Sequence, residues 1–176
     1  MDHRPPPVRP MTLADCDRVS EIRVRGWQSA YQGLMPQSYL DALSVTQDAE
    51  RRRARFSAHA RDGVVNLVAE RDGEIVGWAA HGPHRAGGTR TGDCELYAVY
   101  VDSAHHGSGA GRALLEKSVR QCAPAHARMF LWVLKENAPA RRFYERAGFR
   151  ADGAEEPFEV DGVAVPEVRY VKELTR

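Results

Sequence analysis

The segment from Glu95 to Leu134 limits the fold more than any other part of the chain. Glu95–Val101 reads as a strand, rich in aromatic and β-branched side chains, and Leu96 to Val101 is unbroken apolar sequence. Gly109–Cys122 then sets Leu114, Leu115, Ser118, Val119 and Cys122 on one side at helical spacing. Met129–Leu134 is again apolar throughout, the pattern of a strand covered on both faces. Strand, helix and strand in that order call for a right-handed crossover between parallel strands. Such a chain must build a sheet with helices against it.

The flanks extend that sheet. Val8–Thr12 reads as a short first strand, and Thr12 or Asp15 is placed to cap a helix over 15–29, where Cys16, Val19, Ile22 and Gly26 recur at three- and four-residue spacing. Gly33 and Pro36 mark a break, followed by a short helical piece around Ser38–Leu43 and a helix with a charged face over 47–60. Val64–Glu70 and Glu74–His81 read as a hairpin about Arg71-Asp72-Gly73, and His81–Gly92 as a loop rich in glycine and arginine. Asn137–Ala147 reads as a helix stopped by Gly148, with closing strands around Phe149–Glu159 and Val163–Leu174. The expected fold is a single α/β (α+β) domain over 8–174, behind a flexible segment 1–7. Its mixed central sheet has about seven strands flanked by helices. A chain of 176 residues has room for one sizeable core, not two.

Composition narrows the function classes. With 25 Lys+Arg against 24 Asp+Glu, the formal charge of +1 supplies no global field for nucleic acid or anionic lipid. No apolar run approaches the ~20 residues of a membrane span, and the charged, proline-rich start is unlike a secretory signal. A cytoplasmic protein is expected. Cys16, Cys94 and Cys122 are odd in number and fit neither a zinc site nor a disulfide framework, so they read as reduced thiols packed as small hydrophobes. His81, His84, His105 and His106 lack Cys or acidic partners at zinc spacing and read as surface histidines, with no metal site. Arg51, Arg52, Arg53 and Arg55 follow Asp48 and Glu50 and read as a solvated helix face.

Between strand and helix lies His105-His106-Gly107-Ser108-Gly109-Ala110-Gly111-Arg112. Alternating glycines expose successive backbone N–H groups, and a helix start adds unsatisfied donors and a positive dipole end. Two readings fit: an anion cradle for a phosphate or pyrophosphate, or a tight strand-to-helix turn. A P-loop would need a Gly-Lys-Ser/Thr sequence, and the dinucleotide fingerprint would need glycine at Arg112; neither is present. Arg112 instead brings a cation to the start of the helix.

This strand, turn and helix resemble the acetyl-CoA signature of the GNAT superfamily of N-acetyltransferases, Gln/Arg-x-x-Gly-x-Gly/Ala after a strand. His106 stands where Gln or Arg is usual and Ser103 where proline is common; neither change removes a backbone donor. Asn137-Ala-Pro-Ala140-Arg-Arg-Phe143-Tyr144-Glu-Arg-Ala-Gly148-Phe149 resembles the second hallmark, Asn-x-x-Ala-x-x-Phe-Tyr-x-x-x-Gly-Phe. Asn137 there is a helix N-cap, and Asn137, Ala140, Arg141 and Tyr144 fall on one helical face, with Phe143 turned to the core. By itself, Tyr144 also reads as a buried aromatic with its hydroxyl satisfied.

The resemblance implies splayed central strands holding pantetheine through backbone groups of Val99, Tyr100 and Val101. It implies a pyrophosphate site over His106, Gly107, Ser108, Gly109, Ala110, Gly111 and Arg112, with Asn137 and Ala140 on the facing helix. It makes Tyr144 the acid that protonates the coenzyme A thiolate. Trp132 occupies one family position for a base and cannot serve. Glu95 occupies another, six residues before Val101, and acts directly or through water unless it is a strand-end carboxylate paired with an arginine. Strand alternation places Glu95, Tyr97, Val99 and Val101 on one face. Trp27 and Tyr31, four apart on the first helix, read either as plain core or, since the first helices border the acceptor groove in this architecture, as a pair of which one touches substrate.

Acetyl transfer from acetyl-CoA to a primary amine of a small molecule or peptide is therefore the expected activity. A non-catalytic acyl-CoA sensor is the alternative; it would have no use for a proton donor opposite the sulfur. Acylation of an aminoacyl-tRNA or ribosomal protein would call for a basic face, which a net charge of +1 does not suggest. The last two strands offer edges for a homodimer.

Overall fold

The computed structural model describes residues 4–175. The strands are β1 (Val8–Pro10), β2 (Val65–Arg71), β3 (Glu74–Ala86), β4 (Thr89–Val101), β5 (Arg128–Leu134), β6 (Arg150–Val160) and β7 (Val163–Glu173). They form one sheet in the order β1-β2-β3-β4-β5-β7-β6. Only the β4–β5 neighbours run parallel. The helices are α1 (Cys16–Ala30), α2 (Gln37–Ala42), α3 (Val45–Arg61), α4 (Ala110–Cys122) and α5 (Ala138–Arg146). The α4 crossover between β4 and β5 is the one the sequence demands.

Local chemistry sets the element ends. Asp15 accepts a hydrogen bond from the Thr12 N–H at 2.7 Å and pairs with Arg9, pinning the entry to α1. Ser44 caps α3 through the Gln47 N–H, and Asn137 caps α5 through the Ala140 N–H at 3.3 Å. Asp72-Gly73 and Asp161-Gly162 close two-residue hairpins with both φ angles positive, the backbone twist that antiparallel neighbours need.

Helices cover both faces. On one, Val19 and Ile22 of α1 pack on Val68, Trp78 and Ala80, while Leu40 of α2 meets Leu134 and Val165. On the other, Leu114 packs on Leu67, Val76 and Ala79, and Leu115 and Cys122 join Met129, Leu131 and Tyr170. All three cysteines are free and buried.

Several expectations need correction. The loop expected over 81–92 is mostly strand: β3 and β4 continue to Ala86 and Thr89 and are closed by Gly87-Gly88, both at positive φ. His81 and His84 thereby sit inside the sheet, 4% and 5% exposed, rather than at the surface. Arg52 of the supposedly solvated face lies 4.3 Å over the Trp78 ring and donates to Ser20 Oγ. Of the segment 1–7, residues 1–3 lie outside the described residues; the Pro7 carbonyl accepts from the Glu70 N–H at 3.0 Å.

The sheet is interrupted at its centre. β4 and β5 pair only at Cys94↔Met129 and Glu95↔Phe130, and beyond that point they separate. On the other side of β4 the register jumps from Ala80↔Ala98 to His81↔Leu96, leaving Tyr97 without an opposite residue. Such a bulge sharpens the local twist and reverses the alternation of side chains. Leu96 packs with Leu115 and Cys122, and Val99 and Val101 with Leu114. Glu95 therefore faces away from Val99 and Val101, which corrects the single-face expectation.

Candidate active site

Where β4 and β5 part, a cleft of about 870 Å³ opens. Leu96 to Val101 form one wall and Trp132 to Leu134 the other. The backbone groups that β4 turns toward β5 have no strand partner past Glu95, so they are available to a bound molecule. Val99, Tyr100 and Val101 all line this wall. Gly26 of α1 lets that helix settle on Tyr100: a Cβ there would stand 3.2 Å from the ring.

One end of the cleft is the turn into α4. Gly107 and Gly109 have φ of 77° and 85°, a region costly for L-residues, and a Cβ on either would meet nothing within 4 Å. Open space thus lies before the N-terminus of α4, with Ala110, Gly111 and Arg112 also at the cleft. Arg112 is 80% exposed and bound to Glu116 at 2.7 Å, so part of its charge is spent within the helix. Two residues expected in the pyrophosphate site turn their side chains elsewhere. The His106 ring donates from Nε2 to the Val101 carbonyl at 3.0 Å, although the residue still borders the cleft. Ser108 lies outside the lining, its hydroxyl accepting from the Ala110 N–H and its carbonyl from Arg71.

α5 supplies the facing wall through Asn137, Ala140, Phe143 and Tyr144. Phe143 packs against the core, as expected, but also borders the cleft and reaches within 3.5 Å of the Cβ position of Gly111. Arg141 turns the other way and donates to the Tyr170 hydroxyl and the Lys135 carbonyl. Arg141 lies beyond Asn137 and Tyr144 on the helix, about 160° around from Phe143. The Tyr144 hydroxyl makes no hydrogen bond to any described residue. Burial raises its pKa, so it holds its proton at neutral pH.

The other side of the cleft is aromatic and acidic. Tyr31 lines it, whereas Trp27 does not. Trp27 stands behind, donating from Nε1 to the Tyr100 hydroxyl at 2.7 Å, with the Tyr31 hydroxyl 3.2 Å from the same oxygen. Glu95 is not part of the lining but sits at the apex where the strands part. Burial, with the charges of Glu167 and Glu156 opposing the relief from Arg169, pushes its pKa up to about 7. Burial and Glu156 raise that of Glu167, which does line the cleft. Arg169 is engaged by Asp152 at 2.7 Å, so Glu95, Glu156 and Glu167 have no ion-pair partner among the described residues. Glu167 escaped the sequence reading because only the β5–β7 register sets it opposite Leu134 at the cleft, and the β6–β7 register sets it opposite Glu156.

The family model for the acetyltransferase (GNAT) family matches residues 25–149. The chain belongs to this family. GNAT membership makes it an acetyl-transferring enzyme. The N-acetyltransferase YuaI of Bacillus subtilis (strain 168) is 32% identical over 163 residues, which span 92% of this chain and 89% of YuaI. The ribosomal-protein-alanine N-acetyltransferase of Brucella melitensis superposes with a TM-score of 0.78 at 26% identity, covering 96% of this chain and 99% of that one. yncA of Salmonella typhimurium, solved with its cofactor acetyl-CoA, shares the fold with a TM-score of 0.77 at 24% identity, covering 98% of this chain and 96% of its own. The split between β4 and β5 and the glycine turn thus belong to a GNAT fold, and both strongest motifs fall inside the matched span or at its end.

Proposed function

We propose that the protein transfers the acetyl group of acetyl-CoA to a primary amine of a small molecule or peptide by direct attack. The observation that carries this reading is the Tyr144 hydroxyl, unbonded at a cleft whose strand wall offers free backbone groups. A tyrosine that only filled the core would have its hydroxyl satisfied. The solved relative with acetyl-CoA supports the co-substrate.

In this reading the backbone N–H groups of Gly107, Gly109, Gly111 and Arg112 hold the pyrophosphate, those of Ser108 and Ala110 being engaged within the turn, and the N-terminal dipole of α4 adds to them. Backbone groups of Val99, Tyr100 and Val101 hold pantetheine as an added strand edge, beside Asn137 and Ala140. An acceptor arrives as an ammonium ion, drawn by Glu95, Glu156 and Glu167. Glu95 takes its proton, directly or through water; a carboxylate with a pKa of about 7 is matched to that task near neutrality. The amine nitrogen then attacks the thioester carbon, the N–C bond forms and the C–S bond breaks. Tyr144 gives its proton to the departing thiolate and regains one, through water, from the nitrogen as the amide forms, while Glu95 returns its own proton to solvent. Tyr31 borders the acceptor side, with Trp27 bracing it from behind. A cytoplasmic location accords with three free buried thiols.

The test is release of free thiol from acetyl-CoA over a panel of primary amines, with the acetylated product identified by mass. Amine-dependent release is expected. Tight coenzyme A binding with no release above hydrolysis for any amine would instead make the protein a sensor.

A further inference from the structure

A second depression, of about 400 Å³, lies where α3 meets α1 and α2, and shares no lining residue with the cleft. Its lining is rich in arginine: Arg51, Arg52 and Arg55 from α3 and Arg23 from α1, with His59 beside them and Asp48 as the sole carboxylate. Tyr39 and Leu43 form an apolar flank. Arg51, Arg55 and His59 are spaced four apart and share one helical face. The like charges of Arg51 and Arg55 at that spacing work against the helix, a cost that an anion between them relieves.

The single carboxylate is already engaged. Asp48 accepts from Arg23 at 2.9 Å and from Arg52 at 3.3 Å. Arg23 and Arg52 are further held over the Trp27 and Trp78 rings, at 4.7 and 4.3 Å. Arg51, Arg55 and His59 have no hydrogen-bond or ion-pair partner among the described residues. Burial, aided by the charge of Arg23 and opposed by Asp48, pulls the Arg52 pKa below its usual range. Arg53, on another face of the same helix, pairs with Asp17 at 2.5 Å.

We propose that this depression binds a phosphomonoester, its phosphate held between Arg51, Arg55 and Arg23 and its organic group laid against Tyr39 and Leu43. Guanidinium groups reach the site from two helices, Arg51 and Arg55 from α3 and Arg23 from α1. A tetrahedral dianion presents oxygens to each of them, whereas a planar carboxylate satisfies a single fork.

The test uses the full chain with saturating 3′-dephospho-coenzyme A present, which fills the glycine turn in the proposed function and carries no phosphomonoester of its own to compete for the depression. Phenyl phosphate, inorganic phosphate and benzoate are titrated by calorimetry, and the His59 ring resonances are followed by NMR. Phenyl phosphate is expected to bind saturably, at least threefold tighter than inorganic phosphate and tenfold tighter than benzoate, and to move the His59 signals. The double substitution Arg51→Ala/Arg55→Ala should weaken it at least tenfold, and Arg53→Ala by less than twofold. Equal binding of benzoate, equal binding of inorganic phosphate, unmoved His59 signals or indifference to the double substitution would each overturn the assignment. The His59 signals report on the unaltered protein, so the outcome does not depend on how the variant folds.

Discussion

Replacing Glu95 by glutamine tests the chemistry most directly. Burial beside Glu167 and Glu156 puts the pKa of Glu95 at about 7. By the mass-action relation for one site, about a tenth of the residue is ionised at pH 6 and about nine-tenths at pH 8. If Glu95 accepts the amine proton, wild-type kcat/KM rises about tenfold across that window from this residue alone. The acceptor binds as the ammonium ion, so its own ionisation adds no slope in wild type. Without the base only the neutral amine reacts, so the Glu95→Gln profile should lose the inflection near pH 7 and rise steadily with the amine fraction, staying slower than wild type by ~10²-fold or more at pH 8, the ordinary range for loss of a general base. Thiol release from acetyl-CoA at fixed ionic strength measures both profiles. An inflection near pH 7 that survives in Glu95→Gln would refute Glu95 as the base and leave deprotonation to water. The same shift has a signature in stability. A carboxylate whose pKa is raised on folding binds its proton more tightly in the native state, so its contribution is fully present below the unfolded value near 4.5 and is lost as pH rises through about 7. Glu95→Gln should therefore gain thermal stability relative to wild type at pH 8 and not at pH 4.

Tyr144→Phe should lower kcat by ~10²-fold and leave acetyl-CoA affinity within about twofold, read by steady-state kinetics and calorimetry; full turnover would remove Tyr144 from the mechanism. Gly109→Ala forces an L-residue to φ 85° at a cost of about 1–2 kcal/mol; coenzyme A affinity should fall about tenfold while the far-UV circular dichroism stays unchanged. Leu131, 1% exposed on β5 beneath Tyr170, should lose about 2–5 kcal/mol of stability as Leu131→Ala in urea unfolding, since its cavity lies where the sheet cannot collapse.

Much of this was legible in the residues themselves. A period-2 run, a glycine turn and a 3.6-period helix are local patterns, and each drives its own element whatever the rest of the chain does. The Asp72-Gly73 hairpin, the Asn137 cap and the start of α4 after its glycine turn all follow from interactions within a few residues. The Gly87-Gly88 hairpin was legible too, through its glycine pair, but the surrounding arginines and histidines gave residues 81–92 the composition of a loop. The element sequence and the candidate acid Tyr144 likewise stand in the order and spacing of the residues.

What only the tertiary structure decided was direction. A bulge at Tyr97 turns Glu95 to the opposite face from Val99, and nothing local in Leu96-Tyr97-Ala98 announces it, because a bulge is a property of two strands in register. The position of Phe143 at the cleft, of Trp27 behind Tyr31, and of Glu167 near Glu95 each depends on packing between elements distant in sequence. The raised pKa of Glu95 is of the same kind: burial and like charge come from β4, β6 and β7 together. Short-range patterns choose the elements, because their energies are summed over neighbours along the chain. The site is set by surfaces that meet only after folding, and there the reacting side chains acquire their orientation and their charge.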